Sequence, residues 1–460
     1  MNEAPTPAQC DIAIIGGGAG GVLVAIHLLR QARARLRIVL LEPHPVLAEG
    51  VAYATSHAEH LLNVPVRRMS CFDDASEDFL DFAAQALQVD AAGRDALAQT
   101  YVERRLYASY LRERLQQARQ CAVAELIVIP QRAIALDDAG DGYRLQLQDD
   151  TALRCRRVAL AVGNRPKPLP ARGTAAVPPD TVLAAWDFDA VKRIAPDATV
   201  AIVGSGLSMV DAAMSLSANG HTGRLHVISR HALLPLPHAP HAVADFDAEA
   251  LLAMSLRQRV HYLRRQAAHA VAQGLPWQSV MERIRPLGQR LWQSLPIGDQ
   301  RRFLRHVVRW WDVHRHRIAP QMHARLQAMQ ASGQLQLHRG RLDTVMQAGR
   351  CVRVSLHTGD GGGPALDVER VINATGVEMR VQTMRNPLLS DLVGKGHAQP
   401  GPHGIGLKTA RDGELVAADG RPQPRLIAMG SLRIGCLWES IAIPELRGQA
   451  QTAARLLLAD

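Results

Sequence analysis

The feature that most constrains the fold of this chain is a glycine-rich turn that follows a short apolar run beginning at Asp11. The apolar run predicts a buried strand, and the residues from Val22 onward predict a helix. Gly16, Gly18 and Gly21 have the GxGxxG spacing of dinucleotide-binding turns. In such turns the first glycine forms the turn, the second admits a pyrophosphate, and the third lets the helix pack on the strand.

An acidic residue follows this turn at the distance that a dinucleotide site requires. The next apolar run ends at Glu42, and an acid about 20 residues beyond the turn binds ribose hydroxyls in such folds. Gly20 lies in the same turn and is also expected to contact the cofactor. The start of the predicted helix offers N–H groups and a positive dipole end to phosphates. A glycine motif alone also occurs in ordinary α/β turns, and the spaced acid favours the dinucleotide interpretation.

A second glycine motif repeats the first in part. An apolar run leads to Gly204, Gly206 and Ser208, and Met209 stands where the third glycine would be. The next predicted strand ends in Arg230 rather than in an acid. An acid would repel a 2′-phosphate, whereas an arginine can pair with it, so this motif predicts NADPH rather than NADH. The alternative is that Arg230 is an ordinary surface residue.

The positive charge of the chain is unevenly distributed. The chain of 460 residues is long enough for two or three domains, and its hydrophobic content of 47% supplies a sizeable core. Its net charge is +10. Much of the positive charge lies between Arg257 and Arg317. This indicates attraction for anions, such as the phosphates of NADPH or a substrate carboxylate, with a solvated helical face as the alternative. No nucleic-acid-binding module is recognisable, so nucleic acid is not expected as a partner.

Six cysteines are scattered through the chain, and none of them form a CxxC or CxxxxC pair. This spacing argues against a metal site and against a redox-active disulfide. Scattered thiols and the lack of a signal-peptide pattern predict a cytoplasmic location. The apolar run over residues 12–26 is short and rich in glycine, so no membrane association is expected.

Two glycine units separated by a proline-rich linker predict an α/β fold with two Rossmann-like dinucleotide-binding domains. We expect a discontinuous FAD-binding domain, with its first part at residues 1–170 and its second part at 370–460. An NAD(P)H-binding domain at 171–369 is inserted into it and contains a basic helical insert at about 240–330. Residues 361–363, all glycine, are predicted to form a turn.

The chain resembles a bacterial family of FAD-NAD(P)-binding flavoproteins, which is distantly similar to flavin-dependent N-hydroxylating monooxygenases. The segments that carry the resemblance are 16–21, 50–53, 60–65, 69–70, 204–211, 313–317, 373–376 and 438–447. The resemblance implies FAD at the first site, NADPH at the second, and hydride transfer between them. Many relatives contact the flavin ribityl chain through a Gly-Asp pair, which appears here as Gly430 and Ser431.

The same resemblance assigns further residues to the cofactors. Asn63 and Val64 are expected beside the flavin ring, and a turn in which Pro65 fixes φ is the alternative. Thr375 and Gly376 follow an apolar strand in a segment that resembles the link between the nucleotide domains. A glycine there would let the backbone lie close to a cofactor, and an ordinary strand-end turn is the alternative.

Two residues of the basic insert are predicted to contact a substrate. His314 and Arg317 lie close in sequence, and an arginine can bind a carboxylate through two parallel hydrogen bonds. A solvent-facing or phosphate-paired role is the alternative. No side chain is predicted to be catalytic, because the flavin carries the chemistry.

The resemblance implies a particular reaction. In the N-hydroxylating relatives, reduced FAD captures molecular oxygen as a C4a-hydroperoxide, whose distal oxygen is attacked by a substrate nitrogen. This implies an FAD-dependent, NADPH-using monooxygenase that N-hydroxylates a small amine or amino acid. A reductase or electron-transfer oxidoreductase without oxygenation is the alternative, and a nucleotide-binding sensor is a third.

Overall fold

The computed structural model describes residues 8–358 and 361–459, which form two compact α/β units. The first unit contains the described residues up to Ser56 together with Val64–Arg165 and those from Glu378 onward. The second unit contains His57–Asn63 and Pro166–Val377. The sequence predicted domain ends at residues 170 and 369, and it did not anticipate that residues 57–63 group with the second unit.

Strands and helices alternate along most of the chain. The strands are β1 (Gln9–Ile15), β2 (Arg37–Leu41), β3 (Glu125–Ile129), β4 (Ala133–Asp138), β5 (Tyr143–Leu147), β6 (Ala152–Leu160), β7 (Val182–Ala184), β8 (Val200–Val203), β9 (Leu225–Ser229), β10 (Leu335–Arg339), β11 (Arg341–Ala348), β12 (Cys351–Thr358), β13 (Gly361–Val368), β14 (Arg370–Asn373), β15 (Glu414–Val416) and β16 (Pro422–Ala428). The helices are α1 (Ala19–Gln31), α2 (Gly50–Tyr53), α3 (Asp78–Ala86), α4 (Arg94–Gln99), α5 (Arg104–Cys121), α6 (Phe188–Lys192), α7 (Leu207–Ala218), α8 (Leu256–Ala272), α9 (Gln278–Ile284), α10 (Gly288–Gln293), α11 (Ile297–Arg302), α12 (Val308–Arg315), α13 (Pro320–Ala331), α14 (Pro387–Gly394), α15 (Ile434–Leu437) and α16 (Ile443–Leu458). One π-helical turn, Phe303–Val307, joins α11 to α12.

The first unit is built on a sheet with the strand order β15-β16-β6-β1-β2-β3, which β4 and β5 extend as an antiparallel pair beside β6. The central strand β1 runs parallel to β2 and β6, and its residues Ile12 and Ile14 are fully buried. Helix α1 packs against α5 and α16. A parallel strand that is covered on both faces explains the almost continuous apolar run that predicted it.

The second unit contains a parallel sheet with the strand order β10-β9-β8-β14-β7 and a separate antiparallel sheet, β11-β12-β13. Buried residues of both sheets share one core, in which Ala201 and Val371 of the parallel sheet join Val345 and Val354 of the antiparallel one. The order β10-β9-β8-β14 follows the 3-2-1-4 order of a dinucleotide-binding fold, as the second glycine motif predicted, and β7, which precedes β8 in the chain, pairs with β14 at the edge.

Helices α8 to α13 lie between β9 and β10, so the predicted helical insert occupies residues 256–331. A buried arginine, Arg259, ties these helices to the backbone around them. Its guanidinium group donates to the carbonyl oxygens of Leu291 at 2.5 Å, Met254 at 2.8 Å and Leu252 at 3.1 Å. None of the described helices is long and apolar enough to cross a membrane.

The prediction of a turn at residues 361–363 is wrong, because these glycines begin β13. This strand pairs with β12 and the register shifts between Ser355 and His357. A Cβ atom at Gly363 would lie 2.6 Å from the carbonyl oxygen of Leu356, so the glycine lets an irregular strand approach its neighbour closely.

Two glycines with opposite surroundings test how strongly the first turn constrains the fold. An ideal Cβ on Gly21 would lie 1.8 Å from the carbonyl oxygen of Gly16, whereas a Cβ on Gly448 in α16 meets no atom within 4 Å. We expect Gly21→Ala to lower the free energy of unfolding by about 2 kcal/mol or more, because helix and strand must separate. Gly448→Ala, the control, should raise it by roughly 0.5–1 kcal/mol. Urea unfolding measures both, and a Gly21→Ala protein as stable as the wild type would contradict the close packing.

Candidate cofactor sites

The glycine turn between β1 and α1 has the form that its spacing predicted. Gly16 has a φ of 105°, and a Cβ atom there would lie 2.3 Å from the carbonyl oxygen of Ala161. Gly18 precedes α1, and no side chain caps this helix start. The first N–H groups of α1 are therefore left for an external acceptor such as a phosphate. Gly20 lies in the first turn of α1, where the nearest atom to a Cβ would be the Met429 Cε at 3.5 Å.

The carboxylate of Glu42 is held against this turn. Its Oε2 accepts a hydrogen bond from the backbone N–H of Gly17 at 2.7 Å, and its Oε1 accepts one from that of His44 at 2.9 Å. The loop after Glu42 folds back on the turn, where the N–H of Ala48 donates to the carbonyl oxygen of Gly17 at 2.8 Å. This arrangement orients the carboxylate at the end of β2, the position from which such an acid contacts a ribose.

The carboxyl ends of β1, β2, β6 and β16 meet at the same edge of the first sheet. Two hydrogen bonds, each of 2.9 Å, fix the segment after β16 at this edge. The N–H of Gly430 donates to the Oε1 of Gln449, and the hydroxyl of Ser431 donates to the carbonyl oxygen of Gly163. Open α/β sheets bind their ligands at this edge. Sequence reasoning did not find Gln449, which lies on α16 far from any motif.

The turn between β8 and α7 repeats this geometry without the acid. Gly204 has a φ of 107°, and a Cβ there would lie 2.2 Å from the carbonyl oxygen of Ala374. A Cβ on Gly206 would meet no atom within 4 Å, and Ser208 lies in the first turn of α7. Ser229 takes the place of Glu42 and its hydroxyl oxygen lies 2.9 Å from that of Ser205.

Arginines surround the strand end that lacks the acid. Arg230 follows β9, Arg339 ends β10, Arg341 begins β11, and Arg309 lies on α12. The pKa of Arg230 is lowered by its partial burial and by the positive charges of Arg309 and Arg341. The pKa of the neighbouring His231 is lowered by burial and by the positive charges of these four arginines. Burial is the largest single cause of both shifts, and the part that comes from the arginines reflects a positive local potential, which favours a bound anion.

Thr375 and Gly376 lie beside the second glycine turn. They follow β14, and the N–H of Ala374 donates to the carbonyl oxygen of Val203 at 2.8 Å. The hydroxyl of Thr375 donates to the side-chain oxygen of Asn373 at 2.7 Å. Gly376 has a φ of 89°. The structure therefore brings Gly204, Thr375 and Gly376 to one edge of the second sheet.

Asn63 and Val64 stand where the chain leaves the second unit and re-enters the first. The carbonyl oxygen of Asn63 accepts a hydrogen bond from the His238 Nε2 at 2.9 Å. Earlier in the same segment the buried His60 places its Nε2 3.0 Å from the carbonyl oxygen of Asp211 and 2.8 Å from the Ser215 hydroxyl. Sequence reasoning missed these anchors, and the flavin role of Asn63 and Val64 stays a prediction.

The two predicted substrate residues are engaged elsewhere in the insert. The His314 Nδ1 donates to the carbonyl oxygen of Trp310 at 2.7 Å, and its ring stands edge-on to Trp277. The Arg317 side chain is 3% exposed and forms an ion pair with Glu282. These contacts give both residues structural roles, and their contact with a substrate stays a prediction. Among the described residues no group of three histidine, cysteine or acidic side chains is placed to hold a metal ion.

Comparison with known proteins agrees with this architecture. Residues 13–165 match the model of a family described as FAD-NAD(P)-binding. The search among curated proteins gave no match. The reduced form of ornithine hydroxylase from Pseudomonas aeruginosa is 15% identical, with 98% of this chain and 99% of that one covered and a TM-score of 0.66. The ornithine N-hydroxylase of Kutzneria sp. 744, with reduced FAD, NADP+ and L-ornithine, is 14% identical at 98% and 99% coverage and the same TM-score of 0.66.

A third structure, L-lysine 6-monooxygenase from Pseudomonas syringae, is 15% identical over 97% of this chain and 99% of that one, with a TM-score of 0.64. These likenesses confirm the predicted fold. The family match over residues 13–165 agrees with the predicted resemblance and with the cofactor classes FAD and NAD(P). The predicted enzyme class, an NAD(P)H-dependent flavoprotein oxidoreductase, agrees with all of these findings.

The burial of His238 predicts a pH dependence of stability. Burial and the nearby Arg317 lower the pKa of His238 from 6.5 to about 4. The unfolded chain therefore binds a proton at a higher pH than the folded chain, and the stabilising effect is present above pH 6.5 and is lost as the pH falls towards 4. Between pH 7 and pH 5 this histidine alone should remove about 2 kcal/mol from the free energy of unfolding.

Replacing this histidine by an amide tests that expectation. Glutamine in His238→Gln keeps an N–H donor for Asn63 but does not titrate, so the variant should lose about 2 kcal/mol less than the wild type between pH 7 and pH 5. Urea unfolding at both pH values gives the difference. The exposed His357→Gln on β12 is the control and should behave as the wild type. Equal losses of unfolding free energy in the wild type and in His238→Gln would show that the buried histidine does not control how stability depends on pH.

Proposed function

We propose that this chain is an FAD-dependent, NADPH-using monooxygenase that N-hydroxylates a small amine or amino acid. The observation that carries the proposal is the pair of glycine turns, each at the carboxyl edge of its own parallel sheet. One turn is paired with a carboxylate, and the other is surrounded by arginines. Two such sites in one chain favour a flavin and a nicotinamide between which a hydride passes.

The residues of the first turn fit FAD. The space that a Cβ would take at Gly16 is occupied by backbone, and the uncapped start of α1 after Gly18 offers N–H groups to the pyrophosphate. Glu42, oriented by the Gly17 N–H, would accept hydrogen bonds from the ribose hydroxyls. When bound, FAD supplies the redox and oxygen chemistry, and the chain binds and orients the reactants and excludes water.

The residues of the second turn favour NADPH. A 2′-phosphate carries charge that Arg230 can pair with directly, and Arg309, Arg339 and Arg341 add to the same positive potential. Ser229 in place of an acid removes the repulsion that would select against that phosphate. Thr375 and Gly376, at the neighbouring strand end, are proposed to contact the nicotinamide half of the cofactor.

An amine substrate is supported by two observations. Six cysteines without a CxxC pair give no dithiol acceptor of the kind that disulfide reductases of this fold use. Three structures with the same fold act on ornithine or lysine. In the proposed reaction one atom of oxygen is inserted into the N–H bond. The other atom becomes water with two electrons and a proton from NADPH and one proton from solvent.

The proposal is tested by mixing the FAD-loaded protein with NADPH, then with labelled oxygen and a panel of amines that includes L-ornithine and L-lysine. We expect one labelled hydroxylamine for each NADPH oxidised, with no product when oxygen is absent. Mass spectrometry detects the label. Rapid transfer of electrons to a quinone or a ferredoxin, with no labelled product from any amine, would favour an electron-transfer oxidoreductase instead.

The preference for NADPH depends on Arg230. The variant Arg230→Ala removes this charge and should lower kcat/KM for NADPH by about 10- to 100-fold, because it loses a charge-assisted hydrogen bond to the 2′-phosphate. The kcat/KM for NADH, which lacks that phosphate, should stay nearly unchanged. Steady-state NAD(P)H oxidation measures both. Arg325→Ala, an exposed arginine on α13, is the control. Equal losses with the two nucleotides would show that Arg230 does not read the 2′-phosphate.

A further inference from the structure

The net charge of the chain is concentrated in one segment. Residues 257–317 contain 13 arginines, no lysine and three acidic residues, which equals the net charge of +10 of the whole chain. The remaining sequence has 40 basic and 40 acidic residues. The two cofactor sites do not account for this excess, because Arg309 is the member of the segment that lies by the second turn.

A groove runs along this basic segment, wholly within the second unit. It has a volume of about 580 Å³ and lies between α8 and the stretch that comprises α11 and the π-helical turn. Leu256 and Val260 of α8 and Val307 line it, and its walls are mainly carbon. A volume of this size accommodates several apolar side chains.

Positive side chains border the apolar part of the groove. Arg257, His261 and Arg264 lie on the lining face of α8, at the three- and four-residue spacing of one helical face, and all three are exposed. They span about 10 Å along the helix axis, which matches two turns of a helix.

The acidic residue of the groove is already neutralised. Asp299 is the one acid among the described residues that line it, and its carboxylate pairs with Arg302 at 2.7 Å. The same carboxylate accepts a hydrogen bond from the N–H of Leu256 at 3.2 Å. The backbone bond and the arginine lower the pKa of Asp299. Among the described residues no acid pairs with Arg257 or Arg264, so their charges face outward.

We propose that this groove binds an acidic amphipathic helix presented by a partner protein. Apolar side chains of that helix would fill the space beside Val260, and flanking carboxylates would pair with Arg257 and Arg264. Helices bind in grooves in this way through residues spaced three and four apart. The opposite charges would also accelerate the encounter between the two proteins.

Other occupants fit the surface less well. The basic surface continues beyond the groove to Arg265 and His269 on α8 and to Arg301 and Arg305, all exposed, which is more than a small anion can use. A nucleic-acid backbone has no apolar side chains for the groove floor. A second copy of the chain, docked through the same face, would bring like charges together.

The test uses the full-length, FAD-loaded protein and a labelled synthetic peptide. The probe is a helix of about 16 residues with leucines at positions i, i+3, i+4 and i+7 and glutamates on both flanks. A scrambled peptide of the same composition and one with lysines in place of glutamates are the peptide controls. Fluorescence anisotropy at about 50 and 200 mM salt gives the affinities and their screening by salt.

Two variants alter the groove in different ways, and one leaves it intact. The double variant Arg257→Glu/Arg264→Glu reverses the border charge, and Val260→Asp places a charge on the apolar floor. Arg325→Glu is a single charge reversal away from the groove, at an exposed position on α13. We expect about tenfold or greater weakening for the first two and less than about twofold for the third. FAD content and thermal unfolding establish that each variant is folded.

Specific outcomes would overturn the proposal. One is equal binding of the scrambled peptide, since charge alone would then be responsible. A second is unchanged binding in the folded double variant. A third is a DNA duplex or a phosphatidylserine vesicle that binds more tightly than the peptide and loses its binding in the double variant. Loss of a dimer of this chain in that variant would assign the face to self-association.

Discussion

The close approach of backbone to backbone at two strand-to-helix turns is the constraint on which the two candidate sites depend. At the first turn, Gly21 lets α1 pass within contact of the carbonyl oxygen of Gly16, and Gly16 itself fits against Ala161. This places the start of α1 directly over the end of β1, where phosphates are bound by N–H groups and the helix dipole. At the second turn Met209 replaces the third glycine and is fully buried. The two turns therefore share their first two glycines but not their helix packing.

The polar residues at the two strand ends differ in a way that matches their proposed cofactors. Glu42 is oriented by a backbone N–H before any ligand arrives, so its ordering cost is already met in the folded protein. Ser229 takes that place in the second unit and belongs to a small hydroxyl network with Ser205, while the charge is supplied by arginines from several elements. One site thus has a single positioned acid and the other a diffuse positive potential.

The sequence predicted those parts of the fold and of the sites that rest on local patterns. The strand, turn, helix and acid around Gly16 and Glu42 are close in sequence, and their spacing reflects one supersecondary unit. The arginines around Arg230 come from α12, β10 and β11, so only the structure gathers them. Likewise, the pairing of Arg317 with Glu282 joins residues 35 positions apart. The run of alternating histidines and arginines over residues 314–317 does not by itself reveal that Arg317 forms a buried ion pair.

The chain passes between the two compact units at four places, because residues 57–63 group with the second unit although the rest of that unit begins at Pro166. His60 from this short segment lies buried against Asp211 and Ser215 of α7, beside the ring of Phe188. A gene fragment that encodes residues 166–377 alone would leave that part of α7 uncovered. The second unit therefore consists of two separate stretches of the chain, and a transfer of residues 166–377 as one continuous block would leave His60 and its contacts to α7 behind.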